Sequence, residues 1–184
     1  MTVGADDTRL IVIRGNSGSG KSSVAQAIRS AYGRGIALVG QDLLRRVVLR
    51  DRDVPGAANI GLIEQTARYA LDHGFHVVVE GMLYADRYAD MLARLGGAHR
   101  GRSSYYYLDV SLAETLRRHT TRPQAAEFGP DAMHEWYRSR DLLGVVPETV
   151  IAESSTLADT VERILSETAL LEARREGHEA PAHR

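Results

Sequence analysis

Residues 15–22 read Gly-Asn-Ser-Gly-Ser-Gly-Lys-Ser, between a β-branched apolar burst (RLIVIRG, 9–15) and a helix-like stretch. They fit G-x-x-x-x-G-K-[ST] without a departure. Glycines let the backbone curl until successive N–H groups face one concavity that no Cβ obstructs. A helix starting near Lys21 adds the positive end of its dipole. The turn therefore predicts a triphosphate cradle made of Gly15, Asn16, Ser17, Gly18, Ser19, Gly20, Lys21, Ser22 and Ser23. Lys21 reaches the β- and γ-phosphates, and the Ser22 hydroxyl ligates Mg²⁺. A dinucleotide turn requires G-x-G-x-x-G, and counting on from Gly18 the last glycine is missing.

Such a turn needs a strand before it and a helix after it, and the chain repeats that alternation. Residues 9–15, 35–40, 75–81, 103–110 and 148–154 read as strands, most of them apolar throughout, as in parallel strands covered on both faces. Helices are expected at about 20–32, 41–51, 58–73, 84–95, 111–120, 131–143 and 157–173. In 58–73, Leu62, Ile63, Thr66, Ala67, Ala70 and Leu71 form one helical stripe, with Gly74 as the stop. Alternating strands and helices imply an α/β fold, a single-domain P-loop NTPase with a five-stranded parallel sheet flanked by helices and a helical lid. At 184 residues the chain suits one domain. Residues 1–174 are read as that domain, with the lid at about 117–131 and a disordered tail over 175–184. The 98–104 stretch (AHRGRSS) reads as a solvated basic loop.

Composition narrows the function classes. There is no cysteine, so thiolate metal sites, disulfides and cysteine nucleophiles are excluded. A formal net charge of -1 supplies no global pull toward nucleic acid or anionic membrane. No apolar run approaches the roughly 18 residues needed to span a bilayer, and the first ten residues do not resemble a signal peptide. The expectation is a soluble cytoplasmic protein with no membrane partner.

Triphosphate binding leaves switches, motors and kinases open. A guanine-reading Asn/Thr-Lys-x-Asp is absent, as is a hydrophobic strand closing on Asp-Glu. Instead the second strand runs into Gln41-Asp42-Leu43-Leu44-Arg45. In an open parallel sheet, ligands bind beyond the carboxyl ends of strands. Asp42 there can accept or orient the proton of an attacking hydroxyl while the γ-phosphoryl group leaves. It can equally be an N-cap. Arg45, about one helical turn on, either restrains Asp42 or contacts acceptor or phosphate. The third strand delivers Glu80-Gly81, with Glu80 set to hold a metal-bound water or the acceptor, or merely to cap the next helix. Gly81 is expected to keep the backbone clear of a docking ligand. After the fourth strand, Ser111 and Glu114 suit a capping box. Arg117, Arg118 and Arg122 lead into a Pro/Gly-punctuated loop, as in a lid that neutralises charge on the transferred group. Met133, Trp136 and Tyr137 are expected to face inward from the helix after it.

With these residues in view, residues 9–165 resemble the small P-loop kinases that include polynucleotide 5′-kinases and the zeta-toxin group. Asp42-Leu43-Leu44-Arg45 matches the D-x-x-R of the polynucleotide kinases, in which the Asp is the base. Arg118 and Arg122 match their paired lid arginines, and Glu80-Gly81 matches the E-G of zeta-like toxins. The resemblance implies ATP, Mg²⁺ and phosphorylation of a hydroxyl, with Lys21, Asp42, Arg45, Arg118 and Arg122 catalytic and Asp42, Arg45 and Glu80 on the acceptor side. Glu80 stands where polynucleotide kinases usually have Asp, and no strongly basic tunnel for a nucleic-acid end is visible. The expected acceptor is therefore a small-molecule alcohol: a nucleoside, a nucleotide sugar or an antibiotic-like compound. A 5′-hydroxyl polynucleotide kinase and a non-transferring nucleotide-dependent switch are the alternatives.

Overall fold

A computed structural model describes residues 2–120 and 129–175. Five strands form one sheet: β1 (Arg9–Gly15), β2 (Ile36–Gly40), β3 (His76–Gly81), β4 (Arg102–Asp109) and β5 (Thr149–Ala152). They are parallel throughout, in the order β2-β3-β1-β4-β5. The helices are α1 (Lys21–Tyr32), α2 (Ala58–Asp72), α3 (Ala85–Ala98), α4 (Leu112–His119), α5 (Pro130–Trp136), α6 (Leu157–Thr168) and α7 (Leu170–Arg175).

Side chains alternate across a strand, so β1 supplies both faces of the sheet. Leu10 and Val12 enter one core with Val77, Val79, Ile63, Leu71, Tyr88 and Leu92, the layer made by α2 and α3. Ile11 and Ile13 enter the other with Val24, Ile28, Val78, Ile164 and Leu170, the layer made by α1, α6 and α7. Each fully buried Leu, Ile or Val contributes roughly 1.5–3 kcal/mol. Two such layers explain why the strands read as continuous apolar runs rather than alternating ones.

At the carboxyl end of β1 this pattern meets an exception. Arg14 is fully buried, donating to the Leu83 carbonyl at 2.9 Å, Glu148 Oε1 at 2.8 Å and Asp141 Oδ2 at 3.1 Å. Its guanidinium also lies 5.7 Å from the centre of the Tyr107 ring. Arg14 thereby fastens the 138–148 segment to the central strand, one residue before the glycine turn.

Several elements depart from the expectations. The helix expected over 41–51 is a seven-residue π-helical turn, Leu43–Leu49, with no buried residue, ending at Arg50 with φ 53°. Apolar periodicity alone does not separate it from an α-helix. The helix expected over 131–143 stops at Trp136 and Tyr137 is extended, because the Asn16 side chain takes both the N–H and the carbonyl of Arg138. Met133 faces inward as expected, whereas Trp136 and Tyr137 are only half-buried. The helix over 157–173 is two, broken at Ala169 with φ 52°. Residues 98–104 are not wholly a solvated loop, since His99 is buried and β4 begins at Arg102. Arg122, most of the expected lid and the expected tail from residue 176 lie outside the described residues. No helix among the described residues is long and apolar enough to cross a membrane.

Candidate active site

Gly15, Gly40, Gly81, Asp109 and Ala152 end the five parallel strands along one edge. The chain also reverses direction across the sheet there, because β1 is flanked by β3 on one side and β4 on the other. The crevice this makes is where an open α/β sheet binds ligands. The glycine turn crosses it. Gly20 sits at φ 102° directly before α1, and a Cβ built on it would meet nothing within 4 Å. It combines a backbone that L side chains avoid with open space above it, as a phosphate cradle requires. Lys21 is buried and donates to the Asn16 carbonyl at 2.8 Å. Asn16 thus has two uses: its backbone belongs to the turn, while its side chain clamps Arg138.

A cleft of about 600 Å³ opens from this turn. Its walls include Lys21, Ser22, Asp42, Arg45, Glu80 and Trp136. Ser22 Oγ donates to Glu80 Oε2 at 3.1 Å, so the hydroxyl of the cradle and the acid ending β3 meet across the sheet edge. Asp42 is exposed, has helical backbone angles and caps nothing with its side chain. It accepts from Arg45 Nη2 at 3.0 Å. Asp42 thus stands at the N-cap position of the π-helical turn without a capping bond, and it also lines the cleft. Arg45 restrains it there.

Gly81 lines the cleft, where its backbone is expected to stay clear of a ligand, and its missing side chain also serves packing. A Cβ on Gly81 would stand 2.5 Å from both Gln41 Cβ and Gln41 Oε1. The space belongs to Gln41, which accepts from the Leu83 N–H at 3.1 Å and donates to the Tyr88 hydroxyl at 2.8 Å. Tyr88 also accepts from Asn59 at 2.7 Å and donates to Asp53 at 2.6 Å. Burial, with the Asp53 bond, pushes the Tyr88 hydroxyl above its ordinary range. This network pins the 50–57 loop that walls the far end of the cleft.

Arg118 does not line that cleft. It donates to Glu114 at 2.6 Å, to the Ser19 carbonyl at 3.3 Å and to the Glu153 carbonyl at 3.3 Å. Hydrogen bonds from Arg117 and Arg118 hold the Glu114 carboxyl down to about 2. With Glu114 so engaged, only half of the expected capping box forms: the Glu114 N–H donates to Ser111 Oγ, while Ser111 N–H goes to Glu153. Arg118 instead walls a second pocket of about 270 Å³ with Ser23, Val24, Leu108, Val110 and the 151–157 loop. The pocket adjoins the glycine turn at Ser19 and Gly20, and its lining mixes apolar side chains with Arg118, Glu153 and hydroxyl groups. The 153–157 part of its wall was missed from the sequence. The only signal was Ser and Thr clustered after the last strand, which any loop shows.

The two pockets abut at the turn, where both are lined by Gly20. Mg²⁺ fits the residues present: Ser22 Oγ and Glu80 Oε2 are hard oxygen donors in contact at the cradle. Among the described residues no group of three or more acidic or imidazole side chains gathers at one point.

Similar folds are known. A putative kinase from Chloroflexus aurantiacus J-10-fl superposes with a TM-score of 0.66 at 17% identity, covering 89% of this chain and 97% of that one. The Mycobacterium tuberculosis APS kinase CysC, in complex with AMPPNP and APS, gives 0.66 at 18% identity over 91% and 99%. A gluconokinase from Sinorhizobium meliloti 1021 gives 0.59 at 21% identity over 94% and 98%. No curated protein sequence matches. The family model described as an AAA domain (AAA_33) matches residues 10–141, from β1 through the glycine turn and both acid-bearing strand ends to Asp141, and the chain belongs to that family.

Proposed function

We propose that the protein is an ATP-dependent phosphotransferase that moves the γ-phosphoryl group to a hydroxyl of a small-molecule acceptor. One observation carries the reading: Lys21, Ser22, Glu80 and Asp42 border a single cleft large enough for an acceptor. A separate pocket on the other side of the same turn suits the base. Fold likeness to known kinases supports the reaction class.

In this mechanism the amides from Gly15 to Ser23 bind the phosphates and Lys21 neutralises the β- and γ-oxygens. Ser22 and Glu80 would hold Mg²⁺, which supplies charge neutralisation across the β- and γ-phosphates. Asp42 orients the acceptor hydroxyl and takes its proton as the bond to phosphorus forms, and Arg45 fixes the carboxylate rotamer. Arg118 steadies the nucleotide from the base pocket. Arg122 acts from the lid on the charge that builds up in transfer. Closure of residues 117–131 keeps water from taking the phosphate.

The test is acceptor-stimulated ADP release from Mg·ATP across nucleosides, sugar nucleotides, sugar acids, aminoglycosides and RNA 5′ ends. Stimulation by a small alcohol is the expected result. Stimulation by RNA alone, with a steep salt dependence, selects a polynucleotide kinase instead. No stimulation by any acceptor selects a nucleotide-dependent switch.

A further inference from the structure

The cleft carries more cationic side chains than a neutral alcohol needs. Arg45 and Arg46 reach it from the π-helical turn, Arg52 from the next loop, Arg87 from α3 and Arg138 from the segment after α5. Of the carboxylates there, Glu135 makes no hydrogen bond or ion pair among the described residues, and the others are committed. Asp42 accepts from Arg45. Asp53 accepts from Tyr88 and from Arg87, the latter at 3.1 Å. Asp86 accepts from Arg138 at 2.8 Å. Asp51 accepts from the backbone N–H of Arg52 at 2.7 Å, and Glu80 faces Ser22.

One observation remains unexplained by packing. The Arg52 side chain lines the cleft and makes no hydrogen bond or ion pair among the described residues. An arginine kept for structure pairs with an acid, as Arg87 does with Asp53. Arg52 sits between two acids in sequence and its guanidinium uses neither.

A guanidinium fork matches a planar carboxylate or two oxygens of a phosphate or sulfate, and it is more weakly hydrated than an ammonium. We infer that the acceptor bears an anionic group, a carboxylate, phosphate or sulfate, bound by Arg52 with Arg45 and Arg87 beside it, so that its hydroxyl is presented toward Asp42. The inference rests on the kinase reading for the words "acceptor" and "hydroxyl", while the anion site itself stands apart from it.

Trp136 is the only tryptophan in the chain and lines this cleft, so its fluorescence reports occupancy directly. The protein, first saturated with Mg·AMPPNP to fill the cradle, is titrated at constant ionic strength with inorganic sulfate. The same titration is then run with matched pairs: a hexitol against an aldonate, a hexose against its 6-phosphate, a nucleoside against its 5′-monophosphate. The pairs separate carboxylate from phosphate recognition, and sulfate probes the bare anion. The expected result is at least one anion that binds saturably, ten-fold or more tighter than its neutral counterpart where it has one. That binding weakens at least ten-fold in Arg52→Ala, about 1.4 kcal/mol, and recovers in part in Arg52→Lys. Any other pattern overturns the inference, including anion binding that Arg52→Ala leaves intact. Arg52 is exposed, so its loss does not threaten folding. The kinase reading is scored separately, by acceptor-stimulated ADP release from Mg·ATP.

Discussion

At the scale of single residues, the site divides by what each side chain already touches. Among the described residues Asp42 pairs with Arg45 alone, through Oδ1, which leaves the other oxygen for a hydroxyl. Asp42→Asn is therefore expected to lower kcat by about 10²–10⁴-fold, with Mg·ATP affinity within about two-fold of wild type by calorimetry. Turnover like that of wild type would remove Asp42 from the chemistry. His99 matters for stability instead. Its ring nitrogens lie 2.8 Å from Thr8 Oγ1 and 3.0 Å from Ser103 Oγ. Burial, and then the charge of Arg9, lowers its pKa below the usual value. The folded state holds the neutral ring, so its contribution is fully present above about pH 6.5. It is lost as pH falls toward the folded pKa, at no more than about 1.4 kcal/mol per pH unit. Urea unfolding at pH 7.5 and 5.5 should show a smaller difference in His99→Gln than in wild type. An equal difference would clear His99. The glycine-turn residues were legible because their motif is local. His99 was not, because its burial depends on β4 starting three residues later.

Among elements, the segment between β2 and α2 carries most of what distinguishes this cleft. It leaves β2 as a π-helical turn with Leu43, Val47, Val48 and Leu49 exposed, then returns through the loop that Gln41, Tyr88 and Asp53 pin down. Such π-turns recur at functional sites because they re-aim side chains at the cost of regular hydrogen bonding. Gly81→Ala tests the anchor. A Cβ there overlaps Gln41, and relieving the overlap costs about 1–3 kcal/mol in unfolding free energy by urea titration. It should also raise the KM for the acceptor while nucleotide affinity holds, because only the acceptor wall hangs on Gln41. A variant with unchanged stability would mean that Gln41 moves aside freely. Strand positions were readable to within a residue or two because β-branched runs bounded by Gly and Asp leave few alternatives. Helix ends were harder: the chain after Trp136 follows a bond from Asn16, over a hundred residues away, that no local pattern encodes.

Across the whole molecule, one buried cation joins sheet, cradle and cleft. Arg14 is fully buried, and the Glu148 side chain is 2% exposed. A pair so buried stabilises little relative to apolar packing, but removing one partner strands the other and costs about 3–5 kcal/mol. Arg14→Leu should lose about that much by urea unfolding, and Arg14→Leu combined with Glu148→Leu should recover a good part of it. If the double variant were no better than the single one, the cost would lie in packing rather than in a stranded charge. Because Arg14 and Asn16 both hold the 138–148 segment, destabilising it should also loosen Trp136 and Arg138 in the cleft wall. The sequence by itself determined the parallel α/β sheet, the phosphate-binding turn and the candidate acids at strand ends, since periodicity, glycine spacing and edge position are properties of neighbouring residues. Tertiary structure alone decided that Asp42 shares a cleft with Glu80 while Arg118 walls a different pocket, and that Arg52 lines that cleft with no ion pair among the described residues. Those facts depend on strand order and on contacts between distant segments, which packing selects and no local run of residues records.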